Sequence, residues 1–204
     1  DKAEEKTILA GTSKFGISEL EVFEVILPKE PLEDSIILAN QNQIEALTQW
    51  VYQACGKDGF KLIYRGSTDG FKANIFHEKC DMVWPTLVII KARETGRIFG
   101  GFTCQPWNSA NKPINCSKSF LFSLYNLKKY DVSPDRAAIV GKKTYGPIFG
   151  EGYDLCITDD CNLNNANHSN LGVSYLVENS SNLDKVLAGD RCFTVEDIEV
   201  FSVY

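Results

Sequence analysis

The 204-residue sequence predicts a mainly β protein of the α+β kind, a two-sheet antiparallel β-sandwich with a few flanking helices. Three observations point there. Two helical patterns fall early in the chain, and after Pro85 the pattern turns to short apolar runs of strand length separated by turn residues. Aromatic residues make up 11% of the chain and 12 of them are Phe, which suits a sheet-rich interior. With 44% hydrophobic and 24% charged residues, the chain has the balance of a globular domain that can bury a core.

Residues 1–33 read as an N-terminal arm and 34–204 as the domain proper. The arm holds one expected strand, "LEVFEVIL" (Leu20 to Leu27), ended by Pro28 and Pro31. "NQNQIEALTQWVYQACG" follows as the clearest helix. Asn40 can cap it, Gln43 can close a capping box, Ile44, Leu47, Val51 and Ala54 fall at helical spacing, and Gly56 ends it. "FKLIYR" (Phe60 to Arg65) is a short strand, and "TDGFKANIFHEKCD" a second helix with Thr68 or Asp69 as its cap.

"TLVIIKA" and "GRIFGGFT" form a hairpin across "RETG", where Gly96 takes a positive φ. Gly100 and Gly101 mark either a bulge or a close backbone approach. "SFLFSLYNL" is apolar on both faces, as a central strand would be. "RAAIV" and "YDLCIT" are the next strands, separated by the glycine-rich "GPIFGEG". "DDCNLNNANHSNLG" reads as a long, mobile surface loop, and "VSYLVEN" and "CFTVEDIEVFSVY" supply the last strands.

Composition excludes several function classes. The net charge is −6 and no basic run interleaved with aromatics occurs, so nucleic acid is not the expected partner. No apolar run is long enough for membrane insertion, and "DKAEEKTILAG" lacks a signal peptide's apolar core. A chain opening on Asp rather than Met is expected to be a segment of a longer protein. Seven cysteines, an odd number with no CxxC, read as reduced and mostly buried thiols of a cytoplasmic protein. The glycosylation triplets at Asn115, Asn167 and Asn179 carry little weight in an Asn- and Ser-rich chain.

Each motif that could carry chemistry has a plainer reading. His77 and Cys80 lie three apart on one side of a helix with Asp81 one turn beyond, a spacing that permits a Cys–His pair. With Phe71, Ile75 and Phe76 around them, the expected role is structural: His77 at the edge of the core bonding a backbone carbonyl, and Cys80 inside it. Cys156, Cys161 and His168 do not complete a zinc set, because Cys156 belongs to an apolar strand. Asp160, Asn162 and Asn164 begin like a calcium loop, but Asn165 replaces its glycine and Leu171 its glutamate. "VGKKTYG" has Arg136 where a phosphate loop has its first glycine, and "GPIFGEG" lacks the helix of a dinucleotide fingerprint. Asp197 and Glu199 share a strand face, with Glu196 opposite, and a solvated face is the expectation for that pair. No cofactor is implied.

The order of the pieces carries more. "LIYRGSTDGFKANIFHEKCD", "PTLVIIK", "IFGGFTCQPW", "FLFSL", "YGPIFGEGYDLCI", "SNLG" and "GDRCFTVEDIEVFSV" together resemble the TLDc domain family, from about Asp34 to Tyr204. Trp84 departs from it, standing before Pro85 where relatives commonly have a small or polar residue. The resemblance implies a two-sheet sandwich, no catalytic residue, and a cytoplasmic protein-interaction role linked to oxidative-stress resistance and docking on the vacuolar proton-pumping ATPase. TLDc domains usually end their chains. The alternatives are a structural part of a large, for instance cytoskeletal, assembly or a thiol-dependent detoxifying enzyme. The adaptable "GPIFGEG" and Asn-rich segments nominate Glu151, Asp159, Asp160, Asn164 and Asn165 as partner-facing residues.

Overall fold

The computed structural model describes residues 30–177 and 182–204. The strand expected at Leu20 to Leu27 lies outside them. The first helix, α1 (Gln41–Cys55), starts where the Asn40 side chain accepts the N–H groups of Asn42 and Gln43, and stops at Gly56 in the left-handed region. Gln43 closes no capping box; its amide donates instead to the Leu124 carbonyl at 3.1 Å, tying the helix to the sheet beneath.

Strand β1 (Phe60–Arg65) is followed by two helices, not one: α2 (Gly66–Asp69) and α3 (Ala73–Cys80). Gly70, at φ 110°, separates them, so Thr68 and Asp69 end a helical turn and cap nothing downstream. Then come β2 (Thr86–Ala92), β3 (Ile98–Thr103), β4 (Pro113–Ile114), β5 (Phe120–Ser123), β6 (Lys128–Asp131) and β7 (Ile139–Val140). The chain continues through β8 (Tyr145–Phe149), β9 (Leu155–Thr158), β10 (Asn167–Ser169), β11 (Cys192–Phe193) and β12 (Val195–Val203).

These strands make two six-stranded antiparallel sheets, ordered β1-β12-β2-β3-β5-β6 and β11-β10-β9-β8-β7-β4. In the first sheet, alternate residues serve two cores. Val88, Ile90, Phe99 and Leu121 meet the second sheet and α3, while Leu87, Ile89, Phe102 and Phe122 meet α1. Gly100 and Gly101 answer to close approach and not to a bulge, since β2 and β3 stay in register through both. A Cβ on Gly100 would sit 1.9 Å from the Val88 carbonyl oxygen, and one on Gly101 2.6 Å from the Phe149 ring.

Four further expectations are corrected. "GPIF" is not an exposed loop but most of β8, buried from Gly146 to Phe149. The Asn-rich segment contains β10, with Cys161, Asn167, Ser169 and Leu171 buried. "VSYLVEN" forms no strand over its described part, only a single bridge from Tyr175 to Val132. The seven cysteines are not all reduced thiols: Cys104 and Cys116 form a disulfide, their Cα atoms 6.2 Å apart, and the other five are free. The cause is topological. Phe102 of β3 lies opposite Phe120 of β5, so the chain segments just outside those strands return to each other.

Candidate functional site

Helix α3 turns Ala73, Phe76, His77 and Cys80 inward. His77 Nδ1 lies 2.7 Å from Asp81 Oδ1, the geometry of an acid–imidazole dyad. Its other nitrogen meets no nucleophile. Nε2 donates to the carbonyl oxygens of Lys142 and Tyr145, at 2.8 and 2.9 Å, and so pins α3 to the turn before β8. Cys80 is fully buried, and desolvation pushes its thiol well above the ordinary range. His77 thus bonds backbone carbonyls at the edge of the core and Cys80 lies inside it, the positions expected from the sequence.

The helix has no cap of its own sequence. Its first N–H, that of Ala73, donates to Asp159 Oδ1 at 2.7 Å, from the loop between β9 and β10. That loop is internally braced. The Asn164 amide donates to the carbonyls of Asp159 and Asp160, and its oxygen accepts from Thr158 Oγ1 and the Ala166 N–H. Asn167, buried below, donates to the Cys161 and Phe193 carbonyls and accepts the Thr158 N–H. The calcium reading fails on this ground, because the Asn164 amide is already committed. Among the described residues, no group of three or more His, Cys, Asp or Glu is placed to hold a metal ion.

Of the five nominated residues, Asp159, Asp160, Asn164 and Asn165 belong to this one loop. Thr144, Tyr145, Thr158, Asp159, Asn164 and Ala166 line a shallow cleft of 330 Å³ beside it, and Leu163 stands out from the loop at 78% exposure. Glu151 is elsewhere. It sits in the turn between β8 and β9, at the other end of β9, with Arg136 Nη1 2.5 Å from its carboxylate.

Three buried acids were missed or misread. Asp154 accepts the N–H groups of Gly172, Val173, Ser174 and Tyr175 at 3.0–3.1 Å; burial pushes its carboxyl up, and those four donors pull it partly back. Glu199, expected on a solvated face, is fully buried. It accepts from Ser35 Oγ, the Ile36 N–H and Arg65 Nε at 2.5, 2.9 and 2.9 Å. Asp197 is likewise buried and accepts from the Ser67 N–H and hydroxyl. The misreading has a cause. The outer face of β12 is covered by residues 32–38, which sequence alternation does not reveal. The available signal was Arg65 and Ser67 in the neighbouring strand and turn, ready partners for two acids.

Chemically, then, this is a two-sheet domain whose buried acids and imidazole brace backbone. The TLDc domain matches residues 32–204, and the chain belongs to that family. No curated protein sequence matches the chain. Among the described residues, no helix is long and apolar enough to cross a membrane.

Proposed function

We propose that this TLDc domain works by docking on a larger protein assembly in the cytoplasm, the vacuolar proton-pumping ATPase first among them, and regulates it in a response to oxidative stress. The docking face is the β9–β10 loop, with Asp159, Asp160, Asn164 and Asn165 and the cleft beside them. Glu151 serves a separate contact at the far end of the hairpin. One observation carries the reading: the side chains best suited to chemistry, His77, Asp154, Asp197 and Glu199, are occupied by backbone and neighbouring groups of the chain itself. The same loop holds an exposed Leu163 on a hydrogen-bonded frame, the arrangement by which rigid scaffolds present recognition residues.

The thiol-enzyme reading loses support from the same geometry. Burial pushes the Cys156 and Cys161 thiols up to about 12, far from the range of a reactive thiolate. The test is capture of the chain from its source cells with identification of the proteins retained. Leu163→Asp combined with Asn165→Arg should abolish retention while leaving the melting temperature unchanged. Retention of pump subunits that survives the double substitution would move the docking face elsewhere. Saturable consumption of a peroxide by the purified chain, with nothing retained, would replace docking by catalysis. Asp159→Ala is the wrong probe, because it also uncaps α3.

A further inference from the structure

Between β3 and β5 the chain leaves the first sheet, adds β4 to the edge of the second, and returns. The Cys104–Cys116 disulfide ties the two feet of this excursion together. The excursion has other anchors. Trp107 is buried, with Nε1 donating to Thr86 Oγ1 at 3.0 Å, and its carbonyl accepts the Met82 N–H. Ser109 donates to Asp81, the Asn111 N–H to the Gly141 carbonyl, and β4 pairs with β7. The strands on either side pair without help, from Phe99 with Ser123 to Phe102 with Phe120. The fold therefore closes whether or not the sulfurs are joined.

Access to the bond is asymmetric. Cys104 is only half-buried, whereas Cys116 is 5% exposed. Exchange with Cys80, Cys156 and Cys161 is disfavoured because they are buried in the core, which leaves the half-buried Cys55 and the exposed Cys192 as the other thiols. We propose that Cys104–Cys116 is a reversible redox latch, which clamps the 105–115 excursion, its edge strand β4 included, when oxidised and loosens it when reduced, without unfolding the first sheet or the rest of the second.

The chemistry is a two-electron exchange. In closing with a peroxide, the Cys104 thiolate attacks one oxygen, the O–O bond breaks, and a sulfenic acid forms with release of water or alcohol. The Cys116 thiol then displaces water from that sulfur and the S–S bond forms. In opening, a monothiol such as glutathione attacks the Cys104 sulfur and the Cys116 thiolate leaves. A second equivalent resolves the mixed disulfide, so two thiols become one oxidised glutathione.

Peptide mapping of the full chain after alkylation, in glutathione buffers of rising reducing power, reads the bond directly. The linked 104–116 peptide should dominate in oxidised buffer and convert to two alkylated cysteines in reduced buffer. Hydrogen exchange on the same samples should show the amides of Met82 and 105–115 exchanging about tenfold or more faster once reduced, with β2, β3 and β5 unchanged. Cys104→Ser, at the half-buried foot, should match the reduced wild type in either buffer. The latch is overturned if no linked peptide forms, if reduction leaves 105–115 unchanged, or if it speeds exchange throughout both sheets, which would make the bond a structural staple.

Discussion

The two sheets are held by different means. The first has strands of four to nine residues and buries both faces, with Leu87 and Ile89 toward α1 and Val88 and Ile90 toward the second sheet. The second has strands of only two to five residues, too short to be held by backbone ladders alone. Polar side chains complete it: Asp154 gathers the 172–175 backbone, Asn167 joins three chain segments, and His77 ties down the 142–145 turn. Apolar burial is tolerant of detail, whereas a buried acceptor serving several donors is not. The same domain thus contains a forgiving sheet and an exacting one.

The sharpest way to break that contrast is Asp154→Leu, which keeps the branched shape but puts bulkier methyl groups where the two acceptor oxygens stood. It leaves four N–H groups without an acceptor, those of Ser174 and Tyr175 buried, and chemical denaturation should show a loss of about 4–5 kcal/mol or failure to fold. Asn167→Leu should cost about 3 kcal/mol by the same measurement, because it strips the Cys161 and Phe193 carbonyls of their donor and the Thr158 N–H of its acceptor. In the first sheet, Ile89→Leu should cost less than about 1.5 kcal/mol, since volume is conserved in a site that is apolar throughout. Comparable losses at Ile89 and Asn167 would end the distinction between the sheets.

The smallest effect concerns reactivity. In native protein at pH 8, a thiol reagent followed by mass spectrometry should label the exposed Cys192 at once, and leave Cys156 and Cys161 unlabelled for as long as the fold persists. Labelling of Cys156 as fast as Cys192 would mean that the second sheet opens freely, and that its polar braces are weaker than their geometry implies.

This division also explains what could be read before the structure. "TLVIIKA", "GRIFGGFT" and "FLFS" announced themselves because apolar burial leaves a pattern in sequence, and α1 did so through Asn40 and Gly56. β8 was hidden by its Gly and Pro, and β10 by an Asn-rich composition that usually means turn. A side chain that bonds a distant backbone has no local signature. Asp159 capping a helix 86 residues upstream, or Glu199 holding Ser35, is invisible to any window of sequence. The loop carrying Asp159, Asp160, Asn164 and Asn165 was found by its polarity. Its rigid frame was not, and Glu151 was nominated with it because "GPIFGEG" reads as a second adaptable segment, whereas most of it is buried strand.

The strand order of the first sheet has a consequence for how the protein is made. β12 is the last strand in chain order, yet it lies between β1 and β2, two of the earliest. During synthesis β1 therefore emerges with no partner, and one edge of β2 stays open until residues 195–203 have left the ribosome. At about 5–20 residues per second, the more than one hundred residues between β2 and β12 leave Leu87, Val88, Ile89 and Ile90 beside an unpaired edge for several seconds or more. Over that interval the nascent chain carries an open, apolar strand edge, the kind of surface that pairs with other chains, and only the arrival of "VEDIEVFSV" closes it.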